Sequence, residues 1–485
     1  MRPLARLLMV LALTMVPEAA RSQSASGDWW GVLAILPGKQ LRLAVHLAAG
    51  ADGNLGGTLD SLDQKAMGLP LGEVTLSGDH LAFQLAKPPA SFAGSWDAAA
   101  KSWRGEWRQN GQSWPLVLAA GMPTAAPAPS PLPANWQLPS DAAIAALIDA
   151  RIAQRPGAGI VVGVLDPAGQ RIVARGPVGA TAFDGRTIFE IGSMTKVFTA
   201  LILADMVAKG EVSLDDPAEK YLPARAKMPE RGGRKITLRD LATHSSGLPR
   251  LPDNMKPRNQ RDPYADYSEK QLLAFLAQYR LTRDIGSEFE YSNLGFGLLG
   301  YLLARAAHKD YADLVRELIT APLGLRDTAI ILGPDQRKRF AQGHDAEMRP
   351  TPPWRIPTLA GAGAIRSTAD DMLAFMRAAM DPNAPIAAAM KLTTADQRPM
   401  GTGRGAIGLA WLIAKPAEGR ETLFHNGGTG GFRAAMMLEP AARRGVVVLT
   451  NAAVEPGSDD LAMHLLLGAP LQPASAAPSA KDGHD

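Results

Sequence analysis

Between residues 27 and about 120, apolar and polar positions alternate in short runs: Leu41–Val45, Val74–Leu76, Leu81–Leu85, Trp103–Trp107 and Pro115–Leu118. A period of two is that of a strand with one buried face. Turn signals such as Asp52-Gly53 and Ser77-Gly78-Asp79 separate the runs, so the segment reads as a small all-β domain. The pattern then changes. Residues 121–136 carry five prolines within eleven positions, which predicts an extended linker. Ile144, Leu147, Ile148 and Ile152 follow with helical spacing. Gly159–Leu165 and Arg171–Ala174 flank Asp166-Pro167-Ala168-Gly169 and read as a hairpin. Near the far end Thr422–His425, Phe432–Leu438 and Gly445–Leu449 read as strands, with a short helix around Leu461–Leu467. Helical patterns broken by Gly/Pro loops fill the long interval between. The pattern predicts an α/β (α+β) domain over residues 137–470. Its antiparallel sheet draws on both sequence ends, and a helical subdomain is inserted. Residues 471–485 are small, polar and Pro/Ala-rich, and read as a disordered tail.

Composition refines this picture. At 485 residues the chain is long enough for two or three domains. The first 24 residues read as a signal peptide, with an uncleaved N-terminal anchor as the alternative: Arg2 and Arg6, an apolar stretch from Leu7 to Val16 too short to span a bilayer as an ordinary helix, then small residues from Ala19 to Ser26. No later segment has the length and apolarity of a membrane span. The formal net charge is +4, of which Arg2, Arg6 and Arg21 against Glu18 account for +2. No dense basic run remains, which argues against nucleic acid as a partner. With no cysteine, disulfides, thiol catalysis and thiolate metal sites are excluded. Six of the nine tryptophans lie between Trp29 and Trp114; they read mainly as packing, with an aromatic ligand groove as the alternative.

Three short elements carry candidate chemistry. Ser193-Met194-Thr195-Lys196 opens an apolar-periodic run from Val197 to Val207. Positions i and i+3 share a helix face, and a helix start favours developing negative charge. A lysine whose pKa is lowered by burial can take the proton that makes a serine nucleophilic. Tyr291-Ser292-Asn293 precedes the helical run Leu298–Ala306; a phenol can relay a proton and an amide can orient a substrate or the lysine. His425-Asn426-Gly427, followed by Gly428, Thr429, Gly430 and Gly431, ends one strand and precedes another. Glycines there let a substrate backbone approach and can free an N–H for an oxyanion hole. Each element alone reads as ordinary structure: an N-cap with a solvated lysine, a capped helix start, a Gly-rich connection.

Their combination is another matter. These are the only S-x-x-K, Y-x-N and H-x-G elements in the chain, in that order, 98 and then 134 residues apart. The set resembles that of the serine β-lactamase and penicillin-binding-protein family, S-x-x-K, a middle element and K-T-G. It resembles most the branch with Y-x-N in the middle: class C β-lactamases, D,D-carboxypeptidases and related esterases. Phe189–Lys196, Leu241–Pro249 and Gly361–Thr368 look like segments of the same family. The resemblance implies a β-lactamase/transpeptidase-like fold for residues 137–470 and a cofactor-free, metal-free serine hydrolase. Ser193 would be acylated and Lys196 would activate it. Tyr291 would shuttle the proton, and Asn293 would position the substrate amide and Lys196. His425 would stand at the K-T-G lysine and support Tyr291 by hydrogen bonding. The N–H groups of Ser193 and Gly428 would form the oxyanion hole, with Gly427 and Thr429 beside the substrate. Thr429 and Arg433 are candidates for a carboxylate contact, and His244 reads as loop structure. The chain departs from K-T-G in that a histidine replaces a permanent cation and Asn426 replaces a hydroxyl residue. The expected activity is an exported, periplasmic D-alanyl-D-alanine carboxypeptidase/endopeptidase acting on peptidoglycan peptides, with no membrane span once the signal is removed. A class C-like β-lactamase or short-chain esterase, and a non-catalytic cell-wall binding protein, are the alternatives.

Overall fold

The computed structural model describes residues 25–36, 39–50, 53–64, 66–85, 89–109, 112–121, 132–133, 135–153, 155, 157–176, 182–395, 397–400, 405–415, 420–454 and 457–471. The expected signal peptide, most of the proline-rich segment and the tail from 472 onward lie outside them.

Eight antiparallel strands form a closed barrel: β1 Gly27–Leu36, β2 Lys39–Ala49, β3 Leu55–Ser61, β4 Ala66–Ser77, β5 His80–Leu85, β6 Ala90–Asp97, β7 Ser102–Gln109 and β8 Gln112–Ala120. Each strand pairs with its sequence neighbour, and β1 closes on β8 through Trp29 opposite Ala120. Closure leaves no free sheet edge. Alternation sets the inside: in β5, Leu81, Phe83 and Leu85 are buried and His80 and Gln84 are exposed. Trp29 and Trp103 fill the core, with ring centroids 6.0 Å apart, and Trp96 packs 5.1 Å from Trp103. All five runs read from the sequence are strands. Three strands were not legible, because β3 (LGGTLDS) and β6 (ASFAGSWD) are rich in small residues and β1 (GDWWGVLAIL) does not alternate.

The larger sheet also has eight strands. They are β9 Ile160–Asp166, β10 Gly169–Arg175, β11 Arg398–Pro399, β12 Gly405–Ile407, β13 Leu412–Ala414, β14 Thr422–Gly428, β15 Arg433–Glu439 and β16 Arg444–Thr450, in the order β10-β9-β16-β15-β14-β13-β12-β11. The strand at one sequence end, β9, pairs antiparallel with β16 at the other, Ile160 opposite Thr450. The sheet is covered on both faces, so β9 reads as a continuous β-branched run (IVVGVLD) and is buried almost throughout. On one face Ile160, Val162, Val164, Phe424, Ala435 and Met437 pack with helices α1 (Asp141–Ile152) and α5 (Asp459–Leu467). On the other, Val161, Leu165, Leu423, Ala434 and Met436 pack with α2 (Thr195–Ala208), α3 (Asn293–Ala307) and α4 (Ala369–Ala379). The predicted mixed architecture, with an antiparallel sheet drawn from both ends and helices between, is the observed one. Trp136, read as part of the linker, packs on α5 and donates its indole N–H to Leu465 O at 3.0 Å. No helix of the described residues is long and apolar enough to cross a membrane.

Candidate active site

Helix α2 is apolar on nearly every side and is enclosed by the core. Ser193 sits one turn ahead of it, in the short 3₁₀ turn Gly192–Met194. That turn needs glycine at 192, where φ is +50° and a Cβ would come within 2.6 Å of Gly428 N. Gly427 is under a similar constraint, since a Cβ there would meet Ile191 O at 1.9 Å and Ser193 N at 2.9 Å. The end of β14 therefore lies backbone to backbone against the serine turn. This brings Gly427, Gly428 and the Ser193 N–H together.

Lys196, one turn along, has no exposed surface. Its Nζ lies 2.9 Å from Ser193 Oγ, 2.9 Å from Asn293 Oδ1 and 2.7 Å from Ala362 O. Burial, and after it the charge of Arg250, hold this amine well below the usual lysine range. A neutral amine has two hydrogens and one lone pair. Ala362 O can only accept, and so can Asn293 Oδ1. These two take the hydrogens, and the lone pair is left for the Ser193 hydroxyl. The amide of Asn293 is fixed in that orientation because its Nδ2 donates to Tyr264 Oη at 3.1 Å. Asn293 is the first residue of α3; the cap is Ser292, whose hydroxyl accepts from Gly295 N at 2.8 Å.

Tyr291 lies beside this pair. Lys196 Nζ is 4.9 Å from its ring centroid. Burial pushes the phenol up to about 12, while its hydrogen bond with Ser193 pulls the other way. His244 stacks behind the ring, centroids 4.4 Å apart. Its Nδ1 accepts the Ser292 N–H at 3.0 Å, which puts its proton on Nε2. Burial holds it well below the usual histidine range, so it is a neutral packing plate. The reading of His244 as loop structure agrees with this placement.

His425 lies in β14, on the α2 side of the sheet. Burial, and then Lys196, lower it to about 3, so it is neutral at physiological pH. Its Nδ1 is 2.7 Å from Asn426 O, which can only accept; the proton is therefore on Nδ1 and Nε2 carries a lone pair. The expected bond to Tyr291 is not among the contacts of the described residues. Strand alternation turns the next side chain to the other face, and Asn426 Nδ2 donates to Asp459 Oδ2 of α5. Thr429 is also turned inward: its hydroxyl is buried without a hydrogen-bond partner among the described residues, and its N–H donates to Phe432 O at 3.0 Å. Arg433 donates to Thr429 O and Phe432 O at 3.0 and 3.1 Å. The side chain of Arg433 thus serves the loop that carries it.

The structure brings Ser193, Lys196, Tyr291, Asn293, His425, Gly427 and Gly428 into one cluster. Tyr264 and Ala362 complete it. The Ala362 segment stood out in the sequence for its family-like pattern, whereas Tyr264 lies in an irregular loop with no signal around it.

A family model described as Beta-lactamase matches residues 144–469. The chain belongs to the beta-lactamase family. Among relatives, the D-alanyl-D-alanine-carboxypeptidase/endopeptidase AmpH of Escherichia coli K12 is 33% identical over 278 residues, spanning 55% of this chain and 71% of AmpH. A Beta-lactamase of Pseudomonas fluorescens is 27% identical over 317 residues, spanning 58% of this chain and 84% of that one. The solved Beta-lactamase/D-alanine Carboxypeptidase of Yersinia pestis, complexed with citrate, superposes with a TM-score of 0.60 at 27% identity and covers 68% of this chain and 97% of its own. This beta-lactamase family member is a serine hydrolase of the peptidase/β-lactamase kind.

Proposed function

We propose that the protein is an exported D-alanyl-D-alanine carboxypeptidase/endopeptidase that works through an acyl-enzyme on Ser193. The observation that carries the mechanism is the geometry at Lys196 Nζ, which two obligate acceptors, Asn293 Oδ1 and Ala362 O, anchor 2.9 Å from Ser193 Oγ. The substrate class rests on the likeness to AmpH, whose name carries that activity.

Ser193 Oγ attacks the carbonyl carbon of the penultimate D-alanine as its proton passes to Lys196 Nζ. The developing oxyanion is held by the N–H groups of Ser193 and Gly428. Tyr291, protonated at neutral pH, gives its proton to the leaving nitrogen and regains one from Lys196. The C–N bond breaks, D-alanine leaves as the amine, and the acyl-enzyme remains. Water then attacks the ester, passes a proton through the same pair, and Ser193 is restored. Lys196 is the primary base in this scheme, because burial favours its neutral amine and disfavours the phenolate of Tyr291. Neutral His425 carries its lone pair on Nε2, which can accept a substrate N–H.

The test is D-alanine release from diacetyl-Lys-D-Ala-D-Ala, with intact-mass measurement of a penicillin adduct alongside. Release of D-alanine and a long-lived adduct, both absent in Ser193→Ala, are expected. A short-lived adduct with penicillin consumed and no D-alanine released would make the protein a β-lactamase. An unchanged activity in Ser193→Ala would overturn the mechanism.

A further inference from the structure

Resting on the reading of Ser193 as the acylation centre, we propose that Arg250 is the anchor for a substrate carboxylate, in place of the cation that the His425-Asn426-Gly427 element lacks. Four observations converge on it.

First, the backbone at Arg250 is anchored beside the site. It follows the Leu241–Pro249 loop, Ser292 Oγ donates to Pro249 O at 2.7 Å, and Leu294 N donates to Arg250 O at 3.1 Å. These bonds tie it to the same Tyr291–Leu294 segment that supplies Tyr291 and Asn293. Second, its guanidinium carbon lies 5.3 Å from the Tyr291 ring centroid, which places a planar cation on an aromatic shelf beside the proton-relay phenol. Third, among the described residues it pairs with no carboxylate, and its Nη1 is buried without a hydrogen-bond partner. A buried guanidinium N–H without an acceptor is costly. A carboxylate satisfies it with the two parallel bonds that suit a guanidinium. Fourth, the other basic side chains near the serine are occupied. Lys196 is committed to Ser193, Asn293 and Ala362, and Arg433 to backbone carbonyls, while the buried Thr429 hydroxyl carries no charge to match a carboxylate. His425 is neutral. The charge of Arg250 acts on Lys196, His244, Tyr264 and Tyr291.

The ligand class is a peptide or peptide mimic with a free carboxylate a few bonds from the scissile carbonyl. The test is calorimetric titration of the Ser193→Ala protein, which binds without turnover, with N-acetyl-D-Ala-D-Ala and with its C-terminal amide. Benzylpenicillin and its methyl ester form a second pair, so the readout does not hinge on the peptide. In at least one pair the free acid is expected to bind about tenfold or more tighter than its neutral partner, as for a charge-assisted pair. Adding Arg250→Gln should bring that ratio near one, and Arg250→Lys should retain part of it. Acid and neutral forms that bind equally in both pairs, including no detectable binding, overturn the proposal. So does a preference that survives Arg250→Gln. D-alanine release by the protein with Ser193 intact is scored separately. An Arg250-dependent preference without D-alanine release sinks the peptidase reading alone, and release without such a preference sinks the anchor alone.

Discussion

In the barrel every strand from β2 to β8 lies beside its predecessor in sequence, and only β1 against β8 spans the segment. In the larger sheet β9 lies beside β16, and more than half of the chain intervenes. The interiors differ as much as the connections. The barrel core is built from Trp29, Leu43, Phe83, Phe92, Trp103 and Leu118. Behind the larger sheet the core surrounds a lysine, two histidines and a tyrosine whose protonation is reset by burial. The first region shows what apolar burial and local pairing achieve with few polar groups inside. The second spends part of its interior on ionisable groups that cost free energy to bury, and it holds them in place with hydrogen bonds to backbone carbonyls and amides.

Predictions that probe this contrast run from large to small. Lys196→Ala should lower the rate of acylation by penicillin at least about a thousandfold, because the serine loses its proton acceptor. Lys196→Arg should rescue nothing, since a guanidinium has no lone pair to offer at any accessible pH. Stopped-flow acylation kinetics check both, and a functional arginine variant would break the neutral-amine argument. Trp103→Ala should destabilise the barrel by about 3–5 kcal/mol, the cost of emptying a large buried aromatic site. The acylation rate of folded protein should stay the same. A fall in that rate matching the loss of stability, measured by urea unfolding, would show that the two regions are not energetically separate.

Tyr264→Phe should cost about three- to tenfold in kcat/KM, the worth of one neutral hydrogen bond that orients Asn293; an unchanged value would mean that the amide is held by Lys196 alone. The pH profile of kcat/KM should rise with pH through the lowered Lys196 pKa and show no histidine limb between pH 5 and 8, because His425 titrates near 3. A limb near 6.5 that vanishes in His425→Gln would contradict the burial argument. The smallest effect belongs to the barrel. His46 lies 2.7 Å from Asp28 and 3.2 Å from Asp60, and these bonds, Asp28 foremost, raise its pKa. Its stabilising contribution should be full below the unfolded value of about 6.5 and fade as pH rises through the folded pKa. Urea midpoints at pH 5.5 and 8.5 should differ in the parent and converge in His46→Gln.

The amino-acid sequence was most legible where function depends on short spacing. Ser193 and Lys196 meet because i and i+3 share a helix face, and Gly427 lies against the serine turn because a Cβ there would collide with Ile191 O. Alternation placed Leu423 and His425 on one face of β14 and Phe424 and Asn426 on the other, yet the face that matters became evident only once α2 and α5 were in position. Arg250, Tyr264 and the carbonyl of Ala362 were hidden for a different reason. Their roles arise from loops brought together by tertiary packing, and a backbone carbonyl leaves no mark on residue identity.

The pairing of β9 with β16 also sets an order in time. During synthesis from the N-terminus, the barrel has all of its strands once Ala120 has emerged. The larger sheet cannot complete until Thr450 has followed. The nucleophile turn, the lysine and the tyrosine are all made well before the strand that presses Gly427 against them. A ribosome-bound chain stopped near residue 400 would carry Ser193 without the His425–Gly428 wall of its pocket, so reactivity toward an acylating probe should appear late and abruptly as the chain lengthens.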